Sequence, residues 1–354
     1  MNIVSIQKKK HRTIIKYFLP FFLLLIDGSF ASDPPLPAGI HALALESIEY
    51  LFNNNHPDAE QKAQIIIDTY PQHPAGYFFM AAAIDKWTDY FRSSQREDHF
   101  YRYSDLAIEK GEKILEKNPN DPIAQFFVGG ANGLKGTYEF KKERWITAFR
   151  YGWKGVSVFM NIEQPNGNLI DVQYGIGSYH YWRSAMMRVL WWMPGVEDRR
   201  DEGIRMLQKV SQKGIYSKVY ASVELINIYM NERRYNDALQ VSNQMLKKFP
   251  NAHDFQWGKA EALYALERFT EAQDVYKKIL NRLLQESRRN YYYEVQCRLK
   301  LAKTHNALMQ YTQAVKQCDH ISDMQLSNEI SRRVSNILSE AQRERRLAQR
   351  ALSK

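Results

Sequence analysis

Glycine and proline are scarce in this sequence of 354 residues, which has 17 and 12 of them. Because 44% of the residues are hydrophobic, the composition excludes a collagen-like or largely disordered protein and predicts a folded chain with a large core. Metal-site patterns are also lacking, since none of the nine histidines is paired at zinc-ligand spacing and no cysteine pair stands near one. We therefore expect neither a metal nor a cofactor.

Catalytic motifs are equally lacking. The glycine-rich stretch Gly129–Thr137 ends in Lys-Gly-Thr, whereas a phosphate-binding loop needs Gly-Lys followed by Ser or Thr. The stretch Gly175–Ser178 lacks the third glycine of a dinucleotide-binding turn. Carboxylates four residues apart, such as Asp85 and Asp89, are common on solvated helix faces. The sequence therefore predicts a protein without enzyme activity.

A hydrophobic run of membrane-spanning length is missing as well. The apolar run Tyr17–Ile26 is interrupted by Pro20 and falls short of the ~20 residues that cross a bilayer. Five basic residues precede it and Ser29–Ala31 follows it, which is the order of a secretory signal peptide. We expect cleavage after Ala31, export to the periplasm or the outside of the cell, and no transmembrane segment in the mature chain.

Positive charge is in excess, at +10 by formal count, but it is unevenly placed. Residues 1–31 hold five basic residues and one acid, so their removal lowers the net charge to +6. Residues 330–354 hold seven basic residues against two acids. The remaining body is close to neutral, which does not predict a nucleic-acid partner. For the basic end we expect at most weak association with acidic surfaces.

Residues 219–252 follow a pattern of two helices in 34 residues. With Val219 as position 1, position 7 is Leu225, position 11 Tyr229, position 17 Tyr235, position 20 Ala238 and position 32 Pro250. Leu225 and Tyr229 form one apolar stripe on the first helix. Ala238 is small enough for the second helix to approach closely, and Pro250 ends that helix. The pattern resembles a tetratricopeptide repeat.

Small residues recur at the position of Ala238 along the chain. They are Ala59, Ala107, Ala148, Gly203, Ala238, Ala272 and Ala314. The gaps between the last three are 34 and 42 residues, and the earlier gaps are 48, 41, 55 and 35. We therefore expect an all-α fold, a right-handed superhelical solenoid of about seven stacked antiparallel helix pairs. A C-terminal capping helix covers its last apolar surface.

The domain order expected from these breaks has five parts. Residues 1–31 are the signal peptide and 32–39 a Pro-rich linker. Residues 40–218 hold irregular helix pairs with an aromatic-rich centre, 219–328 hold regular repeats, and 329–354 form the basic capping helix. The mature chain resembles a group of exported bacterial tetratricopeptide-repeat proteins with no established activity.

That resemblance implies a scaffold of the cell envelope that binds a protein or peptide partner in its concave groove. In the family, first-helix positions 2, 5, 9 and 12 line the groove. The residues at these positions that we expect to bind the partner are Tyr220, Asn227, Asp254, Trp257, Glu261, Tyr264, Gln296, Lys303 and Asn306. Trp257 is the expected anchor; its alternative role is to pack against the neighbouring repeat.

Aromatic residues are concentrated between positions 145 and 192. They are Trp145, Trp153, Tyr174, Tyr179, Tyr181, Trp182, Trp191 and Trp192. Two apolar stripes in residues 171–192 predict a helix covered on both sides, so we expect most of these rings in the core. The alternative is an aromatic-lined site for a sugar chain or peptide, in a helical cell-wall or carbohydrate-binding protein or enzyme.

The two cysteines, Cys297 and Cys318, fall at positions 3 and 24 of the last repeat. In two antiparallel helices these positions lie near each other. An oxidising compartment would allow a disulfide between them, and two separate buried thiols are the alternative.

Overall fold

The computed structural model describes residues 35–166, 169–187 and 197–353, and every regular element in these ranges is an α-helix. The helices are α1 (Ala38–Phe52), α2 (His56–Thr69), α3 (Pro74–Phe91), α4 (Glu97–Lys117), α5 (Pro122–Lys141), α6 (Trp145–Asn166), α7 (Val172–Met187), α8 (Arg200–Lys213), α9 (Lys218–Asn231), α10 (Tyr235–Leu246), α11 (His253–Ala265), α12 (Phe269–Gln285), α13 (Tyr291–Ala307), α14 (Tyr311–Ser322), α15 (Asn328–Arg333) and α16 (Ser335–Leu352). The proposed signal peptide, Trp191 and Trp192 lie outside the described residues.

The helices pack as neighbours in chain order, and α1 to α14 make the seven expected pairs. The all-α solenoid of stacked antiparallel pairs is therefore confirmed. The closing segment is broken at Val334 into the short α15 and the longer α16, which packs on α13 and α14. No described helix is both long and apolar enough to cross a membrane.

Local chemistry sets the ends of several helices. The Asp121 carboxylate accepts the backbone N–H groups of Ile123 and Ala124 at 3.0 and 2.8 Å, which caps α5. Proline occupies the first turn of α2, α3 and α5, where its missing N–H costs no hydrogen bond. These signals explain why helix boundaries could be predicted locally.

Glycines allow two helix pairs to approach unusually closely. A Cβ added to Gly155 of α6 would lie 2.7 Å from the carbonyl oxygen of Gly129 on α5. In the next pair, a Cβ on Gly177 of α7 would lie 2.9 Å from the carbonyl oxygen of Gly203 on α8. Gly203 is one of the small residues that the repeat pattern places at a close-contact position, and the structure has the close contact there.

The array closes on itself. α1 and α3 lie against the loops that precede α9, α11 and α13, and a continuous apolar core runs from Leu36 to Leu301. His41 Nδ1 is 2.7 Å from the Tyr216 hydroxyl at one end of this contact. At the other end the Asn290 side chain donates to the Tyr90 carbonyl at 2.6 Å. The N-terminal helices therefore pack on the regular repeats over a long seam.

Candidate partner-binding site

The first part of the predicted groove is covered by α1 and α3. The Tyr220 ring packs edge-on against Phe52 of α1, with ring centres 5.0 Å apart. Asp254 accepts a hydrogen bond from the Lys86 ammonium of α3 at 2.5 Å. Asn227 is exposed, and its side chain hydrogen-bonds to Glu224 of its own helix. All three residues therefore have contacts within the chain.

The last part of the groove is covered by α16. Lys303 forms an ion pair with Glu340 at 2.6 Å, and the Asn306 amide donates to the Glu344 carboxylate at 2.8 Å. The helix predicted to cap the array therefore also binds the groove face of α13.

The remaining predicted polar residues bind within their own repeats or the next one. The Glu261 carboxylate accepts hydrogen bonds from the Tyr276 hydroxyl and the Lys300 ammonium, both at 2.6 Å. Gln296 donates to the Tyr292 hydroxyl at 3.2 Å. The Tyr264 ring lies 5.3 Å from that of Phe269. These side chains already have partners.

Trp257 lies among three other rings. Its ring centre is 5.6 Å from that of His253, 5.8 Å from Tyr276 and 5.8 Å from Tyr293. Tyr293 belongs to the following repeat, and Trp257 is half-buried against the core. The side chain therefore packs against the neighbouring repeat, the second of the two roles expected from the sequence.

The structure has two buried thiols in place of a Cys297–Cys318 disulfide. Cys297 Sγ donates to the Tyr276 carbonyl of the preceding repeat at 3.2 Å. Cys318 lies in a separate apolar cluster, formed with the closing helices. The side chains face opposite neighbours, which is why proximity in the repeat pattern does not bring the sulfur atoms together.

The aromatic block is divided between core and surface. Tyr181 is fully buried, and its hydroxyl bonds to Asn231 and Glu232 at 2.6 and 2.8 Å. The Trp182 indole N–H donates to Glu224. Trp145 and Trp153, in contrast, are about half exposed on α6. The core role expected from the sequence therefore holds for Tyr181, whereas Trp145 and Trp153 lie partly at the surface.

A cleft of about 890 Å³ opens where α2 and α3 face the C-terminal half of α12. We call it the seam cleft. Its lining residues are Asn53, Asn54, His56, Pro57, Glu60, Trp87, Tyr90, Phe91, Arg96, Asn251, Lys278, Asn281, Arg282, Gln285, Glu286, Ser287 and Arg288.

Basic side chains outnumber acids in the seam cleft. The cations are Arg96, Lys278, Arg282 and Arg288, and the acids are Glu60 and Glu286. Arg96 binds Glu60 through two hydrogen bonds of 2.6 Å, and Arg282 lies 3.8 Å from Glu286. Within the described ranges neither Lys278 nor Arg288 forms an ion pair. The cleft therefore keeps two positive charges that a carboxylate can neutralise.

Aromatic rings hold Arg288 in place without neutralising it. The guanidinium carbon lies 4.7 Å from the centre of the Trp87 ring and 4.9 Å from that of Phe91. One guanidinium nitrogen donates to the Gln95 side chain at 3.3 Å, which is also a neutral contact. Such contacts orient a guanidinium and leave most of its N–H donors for an anion.

His56 is the buried polar group of the seam cleft. Its side chain is only 4% exposed, and neither ring nitrogen has a hydrogen-bond partner in the described part of the chain. Its ring centre lies 5.7 Å from that of Tyr90 and 6.1 Å from that of Phe91. Burial, with the positive charge of Lys86, lowers the pKa of His56 to about 4. The imidazole is therefore neutral at pH 7, with one donor and one acceptor unused.

Sequence reasoning did not find the seam cleft. The one signal was the longer gap of 42 residues between Ala272 and Ala314, and residues 281–288 within that gap supply one wall of the cleft. The opposite wall comes from residues about 200 positions earlier. No metal-binding group of three or more His, Cys, Asp or Glu side chains occurs among the residues that the structure describes.

Comparison with known proteins identifies repeats in the C-terminal half. Residues 223–288 match the family model for the tetratricopeptide repeat. No protein of curated function matches the sequence.

Several solved structures of tetratricopeptide-repeat (TPR) proteins are similar to this chain. A thermophilic TPR protein from Thermus thermophilus is 16% identical, over 65% of this chain and 97% of its own, with a TM-score of 0.39. A tetratricopeptide repeat protein from Parabacteroides merdae is 11% identical, over 86% and 100%, with a TM-score of 0.38. The TPR domain of P58(IPK) is 13% identical, over 88% and 99%, with a TM-score of 0.28.

Proposed function

We propose that this chain, a tetratricopeptide-repeat protein whose residues 223–288 match the family model, is a non-enzymatic scaffold of the bacterial cell envelope. Its partner is a protein, bound through an extended segment that carries a carboxylate. The binding site is the seam cleft, because most of the groove positions expected from the repeat pattern contact the chain's own helices.

The observation that carries this proposal is the pair of unneutralised cations in a cleft of peptide size. Arg288 stands over two aromatic rings, and Lys278 is exposed on the same wall. Asparagine and glutamine side chains line the cleft beside them and can bind the backbone of an extended segment. A bound carboxylate would form charge-assisted hydrogen bonds with Arg288, which are stronger than neutral ones.

Site-specific cross-linking in intact cells tests the proposal. A photo-reactive amino acid at position 278 should yield one cross-linked protein, identified by mass spectrometry. The same amino acid at exposed Lys209 of α8, far along the chain from the cleft, is the control and should yield none. Arg288→Glu should abolish the cross-link from position 278, whereas Lys209→Glu should leave it intact. Equal cross-links from both positions, or an unaffected one in Arg288→Glu, would remove the seam cleft from the proposal.

Export is part of the proposal and rests on residues 1–31. Expressed with its own N-terminus, the protein should be recovered from the envelope fraction with Ser32 as its first residue. N-terminal sequencing measures this directly. Recovery of the uncleaved chain from the cytoplasmic fraction would contradict it.

A further inference from the structure

An exposed apolar surface lies on α6, none of whose residues lines the seam cleft. It consists of Trp145, Ile146, Phe149 and Trp153, with Phe140 of α5 beside them. Ile146 is 88% exposed, Phe149 58%, and each tryptophan 49%. At 100° per residue, the four α6 side chains fall within an arc of about 100°. We call this set the α6 aromatic face.

The rings of this face are held in place from the side. Trp145 contacts Phe140 edge-on at 5.0 Å between ring centres. Tyr179 of α7 lies 5.9 Å from Trp153 and 6.3 Å from Phe149. Their outer surfaces remain open to solvent. Contiguous exposed apolar patches of this kind mark surfaces that bind a membrane or a protein.

Basic side chains outnumber acids on α6 and α7, the two helices that carry most of the face. No Asp or Glu occurs in residues 145–162 or 172–187, which make up most of α6 and all of α7. The cations in these stretches are Arg150, Lys154 and Arg183. Arg150 borders the aromatic arc on the helix surface, and Lys154, one turn further along, forms an ion pair with Glu112 of α4 at 3.6 Å. An acidic surface complements this arrangement.

We propose that the α6 aromatic face docks on an anionic phospholipid bilayer. Tryptophan is enriched at the depth of lipid headgroups because its ring is apolar and its N–H is polar. An amphipathic helix with aromatic and aliphatic residues on one side and basic residues at its border lies in the plane of the interface. The side chains stand on the convex surface of a helix, which suits shallow insertion, whereas a peptide partner needs a groove. The seam cleft would then face a partner while α6 holds the scaffold at the membrane.

Vesicle flotation with the purified mature protein tests this directly. The protein should float with vesicles of phosphatidylcholine containing about a third phosphatidylglycerol, and much less with phosphatidylcholine alone. Each basic residue near an anionic surface contributes about fivefold to the affinity, so the double variant Arg150→Glu, Lys154→Glu should bind at least about twentyfold more weakly. The double variant Ile146→Ser, Phe149→Ser should lose binding in both lipids.

Matched variants separate docking from misfolding. Met309→Ser removes a similarly exposed apolar side chain from a turn outside the face and should float like the unchanged protein, as should Lys209→Glu. All variants should keep the melting temperature of the unchanged protein. Unchanged flotation of Ile146→Ser, Phe149→Ser would overturn the proposal. A concentration-dependent dimer that is lost in that variant would also overturn it, because the face would then bind a second copy of the chain. A protein cross-linked to a photo-reactive amino acid at position 149 would overturn it as well. None of these outcomes depends on the seam cleft.

Discussion

At the scale of one residue, His56 shows how packing of consecutive helices creates a buried polar group that the sequence alone does not reveal. The side chain begins α2, and α3 covers it through the rings of Tyr90 and Phe91. Arg288 shows the effect of closure, since the rings that hold its guanidinium belong to residues about 200 positions away. Both residues are ordinary in the sequence and distinctive only in the folded structure.

Acid should destabilise the protein partly through His56. The unfolded imidazole binds a proton near pH 6.5 and the folded one only near pH 4. The unfolded state therefore takes up more protons as pH falls through this window, and stability present above about pH 6.5 is lost towards pH 4. The loss from this one group should be on the order of 3 kcal/mol.

Chemical unfolding at about pH 7 and pH 4.5 measures this effect. His56→Phe should lose clearly less stability between the two than the unchanged protein, while buried His253, whose pKa burial lowers to about 3, contributes equally to both. His99→Phe, at an exposed position of α4, controls for loss of an imidazole. An unchanged pH dependence in His56→Phe would show that the side chain is not buried as described.

At the scale of one element, Gly155 of α6 determines how closely α5 and α6 can pack. Gly155→Ala would place a Cβ 2.7 Å from the Gly129 carbonyl oxygen and 2.8 Å from the Gly133 nitrogen, both backbone atoms of α5. The helices would have to separate, so we expect a loss of about 1–3 kcal/mol in the free energy of unfolding. Urea unfolding measures it.

Gly152 of the same helix provides the matched control. A Cβ at this position meets no atom within 4 Å, so Gly152→Ala should stabilise the protein by roughly 0.5–1 kcal/mol through the lower backbone entropy of alanine. Equal effects of the two substitutions would contradict the described crossing of α5 and α6.

The ion pair between Lys86 and Asp254 tests closure at the scale of the whole molecule. It joins α3 to α11 across 168 residues, and both side chains are mostly buried. Lys86 also lies 4.9 Å from the centre of the Phe52 ring. Removing one partner leaves the other charge uncompensated, so Lys86→Met and Asp254→Asn should each cost on the order of 3 kcal/mol.

A double-mutant cycle isolates the contact from other effects. The double variant should cost less than the sum of the single variants, by about 1–3 kcal/mol. Hydrogen exchange in α1 and α3 should rise in both single variants, because these helices are held by the seam. Strictly additive energies would mean that the two charges do not meet and that the array is open in solution.

The sequence by itself determined the parts of this protein that depend on near neighbours. Helix pairs and the close-contact positions follow from 3.6-residue periodicity, helix-ending prolines and small side chains. Thus Ala59, Ala238, Ala272 and Ala314 are all fully buried where the repeat pattern places them. Each of these features is fixed by contacts within one helix or between consecutive helices.

Only the tertiary structure decided which surfaces of the array are covered and which stay exposed. Small rotations between successive pairs add up until α1 and α3 meet α9, α11 and α13, and no local pattern encodes that sum. Closure covers groove positions such as Asp254 and creates the seam cleft from distant segments. The exposure of Trp145 and Trp153 could not be predicted for the same reason. An aromatic stripe on a helix is buried only if another element covers it, and the presence of such an element depends on the whole path of the chain.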